Sequence, residues 1–285
     1  MTLRQRAPAK VNLTLRVLGR RADGYHELDS LVAFAGCAAD AVSLAPGPRL
    51  ELARVDGPFA DAAGPQRDNL VLKAARAAAE RIEGLTLGAF TLTKRIPVAA
   101  GLGGGSADAG AALRLIAEAN GLAPDDPRLA EAAAATGSDV PACLVSRACL
   151  MTGRGEGIAP FDLPPLAAVL ANPMKGLSTA AVFRALGLAP DATFHAEAFP
   201  GGANGAGGGV FDGRNDLEPP ARALMPEIAE GIAALAAAEG CRLARMSGSG
   251  ATVFGLFDGQ RQARAAARAL KRALPGWWLR ATMLR

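Results

Sequence analysis

Pro97-Val98-Ala99-Ala100-Gly101-Leu102-Gly103-Gly104-Gly105-Ser106-Ala107 is the stretch on which the reading of this chain turns. It follows a segment of strand character, 88–95, and opens an Ala-rich helical one, 106–119, with Leu113 and Ile116 on one helical face. Glycine at four of five positions allows positive φ and lets a ligand come close to the backbone. The helix N-terminus that follows offers unpaired N–H groups and a partial positive charge. Phosphate is the natural guest; a flexible turn is the alternative that the glycine cluster taken alone leaves open. No Gly-Lys-Ser/Thr follows, and Ser106 stands where G-x-G-x-x-G has its third glycine, so neither an ordinary P-loop nor a Rossmann site is supported.

The rest of the chain bounds what that loop serves. Its 285 residues fit one large domain or two ordinary ones, and with half of them apolar and a fifth charged the chain is of ordinary globular composition. A net charge of +4 suits a phosphate-handling protein as well as a nucleic-acid binder, but one Tyr, two Trp and no basic run argue against a nucleic-acid surface. Cys37, Cys143, Cys149 and Cys241 show no C-x-x-C pair or zinc spacing, and His26 and His195 are far apart, so buried free thiols are expected. Pro8, Asn12 and Arg16 interrupt any signal-like apolar stretch, and no apolar run of about 18 residues follows. The expectation is a soluble cytoplasmic protein, off the membrane.

Residues 7 to 18 alternate, with Val11, Leu13, Leu15 and Val17 apolar and Lys10, Asn12, Thr14 and Arg16 between them, which predicts a half-buried strand. Strand character recurs at 28–34, 41–44, 49–53 and 88–95; helical stretches run over 69–82, 106–119 and 127–135. Pro160, Pro164 and Pro165 suggest a domain boundary, dividing the chain into 1–160 and 161–285. Beyond it the pattern predicts strand 166–171, helices 178–186 and 222–238, strands 242–246 and 251–257, helix 260–273 and strand 277–283: a split-βαβ, ferredoxin-like unit with an added helix. Residues 200–209, from Pro200 to Gly209, cannot bury apolar surface and read as a surface loop.

The glycine-rich loop resembles the central phosphate-binding motif of the GHMP kinases, named for galactokinase, homoserine, mevalonate and phosphomevalonate kinases. Ala7-Pro8-Ala9-Lys10-Val11-Asn12-Leu13 resembles the first family motif and Met246-Ser247-Gly248-Ser249-Gly250-Ala251-Thr252 the third, all in family order over nearly the whole chain. The resemblance implies an α+β fold, with a ribosomal-protein-S5-like N-terminal domain and a ferredoxin-like C-terminal domain. Asp23-Gly24-Tyr25-His26-Glu27-Leu28, Gly137-Ser138-Asp139-Val140-Pro141, Ser178-Thr179 ahead of Phe183, and Asn215-Asp216-Leu217-Glu218 are similar to one branch of the family. That branch phosphorylates the 2-hydroxyl of a cytidine-diphosphate-linked methylerythritol in non-mevalonate isoprenoid synthesis.

Alternation along a strand puts Lys10 and Asn12 on one face, open to a ligand. The resemblance makes Lys10 a catalytic-site cation and Asp139 the carboxylate that accepts the hydroxyl proton, with Lys10 holding it ionised; a helix N-cap before Pro141 is the other reading of Asp139. Residues 97–107 take ATP, and Asn69 and Lys94 match positions near the nucleotide, though each fits a cap or a surface charge equally. Asn12, Tyr25, His26, Thr179 and Phe183 are implied for the substrate, with Tyr25 and Phe183 sandwiching the base and His26 reading its polar edge. Mg²⁺ is expected with ATP. Its protein ligands are open: Ser106 is the first hydroxyl to consider, and Asp108 can be explained as an acid near a helix N-terminus. The partners expected are small molecules, with no nucleic acid, in a monomer or homodimer. An RNA-associated protein, a catalytically inactive sensor and a GHMP kinase for another alcohol are the readings this one competes with.

Overall fold

The computed structural model describes residues 1–189 and 208–285. Its elements run β1 (Leu3–Asn12), β2 (Arg16–Arg20), β3 (His26–Gly47), β4 (Glu51–Asp56), α1 (Leu70–Ala79), β5 (Leu87–Thr93), α2 (Gly104–Ala119), α3 (Pro127–Thr136), α4 (Val140–Val145), β6 (Cys149–Gly153) and β7 (Gly157–Pro160). There follow β8 (Leu166–Asn172), α5 (Thr179–Leu186), α6 (Gly208–Asp212), α7 (Glu218–Leu224), α8 (Glu227–Ala236), β9 (Cys241–Met246), β10 (Val253–Phe257), α9 (Gln260–Ala273) and β11 (Trp278–Leu284). They form two compact units, Met1–Ala9 with Ala38–Val98 and Gly103–Ser146, and Lys10–Cys37 with Ala99–Leu102 and Arg147–Arg285.

In the first unit β5 pairs antiparallel with residues 41–47 of β3 and parallel with β4, and helices α1 to α4 pack together. Two of them, α1 and α3, start where a short polar side chain satisfies an orphan N–H. Asn69 Oδ1 accepts from Val71 N ahead of α1, and Asp126 accepts from Arg128 N ahead of α3, whose first residue is Pro127. The contact of α2 with α4 leaves no room for a side chain at Gly110, where a Cβ would lie 2.6 Å from the Cys143 carbonyl. Arg114 of α2 then donates to the Cys143 and Leu144 carbonyls that end α4.

In the second unit the strand order is β11-β8-β10-β9, all antiparallel, with α5 to α8 between β8 and β9 and α9 between β10 and β11. This is the split βαβ arrangement expected from the pattern. The core under it joins Val169, Val253 and Leu279 of the sheet to Ile228 and Leu235 of α8 and Ala263 and Leu270 of α9. β3 enters this unit through residues 28–32, which pair with β6, and through Ala35, opposite Leu284 of β11.

Three expectations change. The strand expected over 7–18 is two strands, because Leu13 and Thr14 turn to donate to the Leu31 carbonyl and Leu15 donates to that of Arg214. The segments 28–34 and 41–44 are one strand; the weak strand formers between them are carried by tertiary bonds, Cys37 N to Thr282 Oγ1 among them. The helix expected over 222–238 is two, α7 and α8, since Pro226 drives Met225 into the extended region. Of the loop read over 200–209, Gly208 and Gly209 open α6 and the rest lies outside the described residues. No helix among the described residues is long and apolar enough to cross a membrane.

Candidate active site

In the second unit the end of β1 is covered on both faces, not half-buried: Lys10 is 3% and Asn12 1% exposed. Both polar side chains project from one face as alternation requires, and Lys10 Nζ donates to Asn12 Oδ1 at 2.8 Å. Asn12 Nδ2 donates to Ser30 Oγ at 2.7 Å, and the Ser30 hydroxyl donates to the Thr14 carbonyl. The amide therefore has one orientation, oxygen toward the ammonium. Burying this face is tolerable because each polar group finds a partner.

Asn12 N donates to Ser247 Oγ at 3.1 Å, and that hydroxyl donates to the Gly101 carbonyl at 3.0 Å. Ser247 opens the turn Ser247-Gly248-Ser249-Gly250 between β9 and β10, whose glycines take φ of +57° and +85°. The turn and the glycine-rich loop meet backbone to backbone. Gly101 has φ +72°, and a Cβ there would stand 2.5 Å from the Gly250 carbonyl oxygen and 2.7 Å from that of Ser247. Ala100 O accepts from Thr252 N and Leu102 O from Lys10 N, so residues 100–102 are bonded in place and are not a flexible turn. Ala99 also takes a positive φ, +52°, a strain that a non-glycine residue holds only where its surroundings impose it. At the other end of the turn Ser249 Oγ and Thr179 Oγ1, the first residue of α5, share a hydrogen bond of 2.7 Å.

The aromatic residues of this unit sit differently from the expected sandwich. His26, not Tyr25, faces Phe183, with ring centroids 4.4 Å apart and planes 25° from parallel. Burial, with the Arg20 charge behind it, lowers the His26 pKa, so the imidazole is neutral at neutral pH. Tyr25 is 52% exposed and carries the Arg154 guanidinium over its ring at 4.9 Å.

In the first unit Lys94 is buried under the start of α2, where its Nζ donates to Asp40 Oδ2 and, at 2.8 Å, to Asp108 Oδ2. Asp40 Oδ1 accepts from the Arg95 and Ile96 amides. A Cβ added to Gly104 would lie 3.5 Å from the ammonium. Burial alone would lower the Lys94 pKa; the Asp108 and Asp40 carboxylates outweigh it and the net shift is upward. Asp108 is pushed well above the ordinary 3.8, by burial first and against the pull of Lys94, and its Oδ1 has no hydrogen-bond partner. It is thus a buried partner of Lys94 and not an exposed acid at a helix terminus, and Lys94 is not a solvated surface charge.

Gly103 adopts the left-handed conformation, φ +57°, and its carbonyl accepts from Ala107 N, which starts α2. Pro97 is buried and Val98 exposed on the way into the loop, Gly105 is exposed, and Ser106 is half-buried in the first turn of the helix. Asn69 is the cap of α1. Asp139 occupies the N-cap position of α4, yet its side chain makes no capping hydrogen bond. A magnesium ion bound with phosphates needs few protein oxygens. The Ser106 hydroxyl, half-buried, fits that need; Asp108, 2% exposed beside Lys94, is closed off from it. Among the described residues no three His, Cys, Asp or Glu gather to hold a metal.

The four cysteines are free, but only Cys143 and Cys149 are buried; Cys37 is exposed and Cys241 intermediate. Burial pushes the Cys149 thiol up to about 11, against the nearby Lys10 charge, which leaves it a poor nucleophile. Sequence reasoning did not pick out Ser30, Asp40 or Arg154. Asp40 had one signal, a lone acid in an apolar strand. Ser247 and Ser249 lay inside a quoted motif without an assigned role.

The family description "GHMP kinases N terminal domain" matches residues 69–147 and "GHMP kinases C terminal" residues 205–276. A Xanthobacter autotrophicus protein, 4-diphosphocytidyl-2-C-methyl-D-erythritol kinase, is 59% identical over 99% of both chains. A crystal structure of 4-(cytidine 5'-diphospho)-2C-methyl-D-erythritol kinase superposes with a TM-score of 0.75 at 38% identity, over 99% of both chains. A homoserine kinase from Cytophaga hutchinsonii superposes equally well, TM-score 0.76, at 20% identity, over 99% of this chain and 94% of that one. At that identity the likeness shows the fold alone.

The buried cluster yields a test. Lys94→Met leaves two carboxylates without their cation and is expected to destabilise by about 3 to 5 kcal/mol. Asp108→Asn keeps the shape, leaves Lys94 paired one to one with Asp40, and is expected to cost far less. Thermal unfolding of both variants measures the difference; equal losses would mean that Asp108, not Asp40, balances the charge.

Proposed function

Because the chain belongs to the GHMP kinase family, an ATP-dependent one, we propose that it transfers the γ-phosphoryl group of ATP to the 2-hydroxyl of 4-diphosphocytidyl-2-C-methyl-D-erythritol, a step of non-mevalonate isoprenoid synthesis. The observation that carries the choice of alcohol is 59% identity, end to end, with a kinase named for that substrate. The stacked rings of His26 and Phe183, with Tyr25 beside His26 in sequence, support it, since a nucleobase needs flat faces and a homoserine or mevalonate does not. Both reactants carry phosphates that keep them in water, and the cytoplasm is the compartment the reading assigns.

Phosphoryl transfer asks of a protein mainly positioning and charge stabilisation. Residues 97–107 cradle the nucleotide phosphates with backbone N–H groups and the N-terminus of α2. Lys94 follows β5 directly, ahead of the loop, and Asn69 caps α1, which packs on α2. Lys10 supplies positive charge against the transferring group, and Asn12, held by Ser30, presents a fixed amide to the substrate. The substrate hydroxyl oxygen attacks the γ-phosphorus, the bond to the bridging oxygen of ADP breaks, and Asp139 takes the hydroxyl proton late in the step. Ser106 would hold a Mg²⁺ that neutralises charge on the β- and γ-phosphates.

Thr179, whose hydroxyl is held by Ser249, serves the polar part of the substrate. A base sandwiched between Tyr25 and Phe183 requires the His26 ring to leave the Phe183 face, where it stands, and to turn its neutral edge to the base.

An assay of ADP release against a panel of alcohols tests the assignment: turnover is expected with the cytidine-diphosphate substrate and is abolished by chelating Mg²⁺. Release with homoserine or mevalonate alone would overturn the choice of alcohol. Asp139→Asn is expected to lower kcat by at least about 10²-fold, about 3 kcal/mol, with nucleotide affinity little changed. Wild-type turnover in that variant would remove Asp139 from the chemistry. Tyr25→Ala is expected to raise KM for the alcohol roughly tenfold, since a stacked base is worth about 1 to 3 kcal/mol, and to leave KM for ATP alone. An equal rise in both constants would return Tyr25 to a structural role.

A further inference from the structure

Arg214-Asn215-Asp216-Leu217-Glu218 leads into α7, and the mechanism above gives its side chains no part. Asn215 is buried and its amide is fully used. Nδ2 donates to the Met246 and Gly248 carbonyls, both at 2.8 Å, and Oδ1 accepts from Leu217 N at 3.0 Å. Glu218 Oε2 accepts from Met246 N at 3.0 Å. Three of these four bonds end on the turn that carries Ser247 and Ser249, or on the residue that enters it.

The same segment is also tied to the chain just past Lys10 and Asn12. Leu15 N donates to the Arg214 carbonyl, Asp216 N to the Leu15 carbonyl, and Val17 N to Asp216 Oδ2. A turn with glycines at 248 and 250 has little stiffness of its own. The planar amide of Asn215 sets the direction of one carbonyl in the turn, that of Gly248, and of the Met246 carbonyl that leads into it. Neither alanine nor aspartate can do this: the first has no donors, and the second faces carbonyl oxygens with a carboxylate.

We infer that Asn215, buttressed by Glu218, is a positioning residue for phosphoryl transfer. It fixes the turn so that Ser247 meets Asn12 and Gly101, and Ser249 meets Thr179, without touching substrate itself. The inference rests on the kinase reading for what the turn serves.

Full-length wild type, Asn215→Ala, Glu218→Ala and Glu218→Gln are compared in ADP release, thermal unfolding and amide hydrogen exchange over residues 246–252. Asn215→Ala is expected to lose about 10²-fold in kcat far below its Tm, as a displacement of about 1 Å in a site does. Exchange is expected to speed up in the turn while β8 and β11 keep their protection. Glu218→Ala is expected to lose less in the same direction, and Glu218→Gln, which keeps an acceptor for Met246 N, to recover it. A folded Asn215→Ala with wild-type kcat overturns the inference, as does lost turnover with unchanged exchange in the turn. If Asn215→Ala does not fold, Glu218→Ala decides, and wild-type kcat there overturns it. A wild type that releases no ADP would fail the kinase reading instead; the exchange comparison would still say whether Asn215 holds the turn.

Discussion

The second unit depends on one approach of backbone to backbone, that of Gly101 to the turn Ser247–Gly250. No side chain fits between them, and a Cβ at Gly101 would lie inside the van der Waals surface of two carbonyl oxygens. Everything polar nearby is arranged around that contact. Ser247 can accept from Asn12 and donate to Gly101 because a hydroxyl has both capacities and sits where the two strands converge. The loop is thereby bonded to the strand that carries Lys10. Glycine serves here by leaving space, and its flexibility is removed by the hydrogen bonds that surround it.

Both buried lysines follow one rule. An ammonium out of water is kept charged only by groups that accept from it. Lys94 has two carboxylates, one of them braced by backbone amides, and so is held in place as a support beneath the start of α2. Lys10 bonds to a neutral amide whose orientation is set in turn by Ser30.

The fold by itself does not decide the substrate. The homoserine kinase superposes as well as the 4-(cytidine 5'-diphospho)-2C-methyl-D-erythritol kinase, although it shares about half as many residues with this chain. A shared backbone does not choose the alcohol, which leaves that choice to the side chains set on it.

The sequence by itself determined the glycine-rich strand-to-helix junction, the pairing of Lys10 and Asn12 on one face, and the order of strands β8 to β11 with the helices α5 and α9 between them. These follow from local periodicity and from backbone chemistry that only glycine and proline permit. It could not determine that the polar face of β1 is buried, that 26–47 is one strand, or that Met225-Pro226 splits a helix whose periodicity runs through it. Nor could it find that Asp40, Asp108 and Lys94 meet, or that His26 rests on Phe183. Asp40 and Lys94 are 54 residues apart, His26 and Phe183 157. Local pattern reports which face a side chain takes on its own element; what stands opposite that face is settled only when distant segments pack, because burial and hydrogen-bond satisfaction are properties of the assembled core.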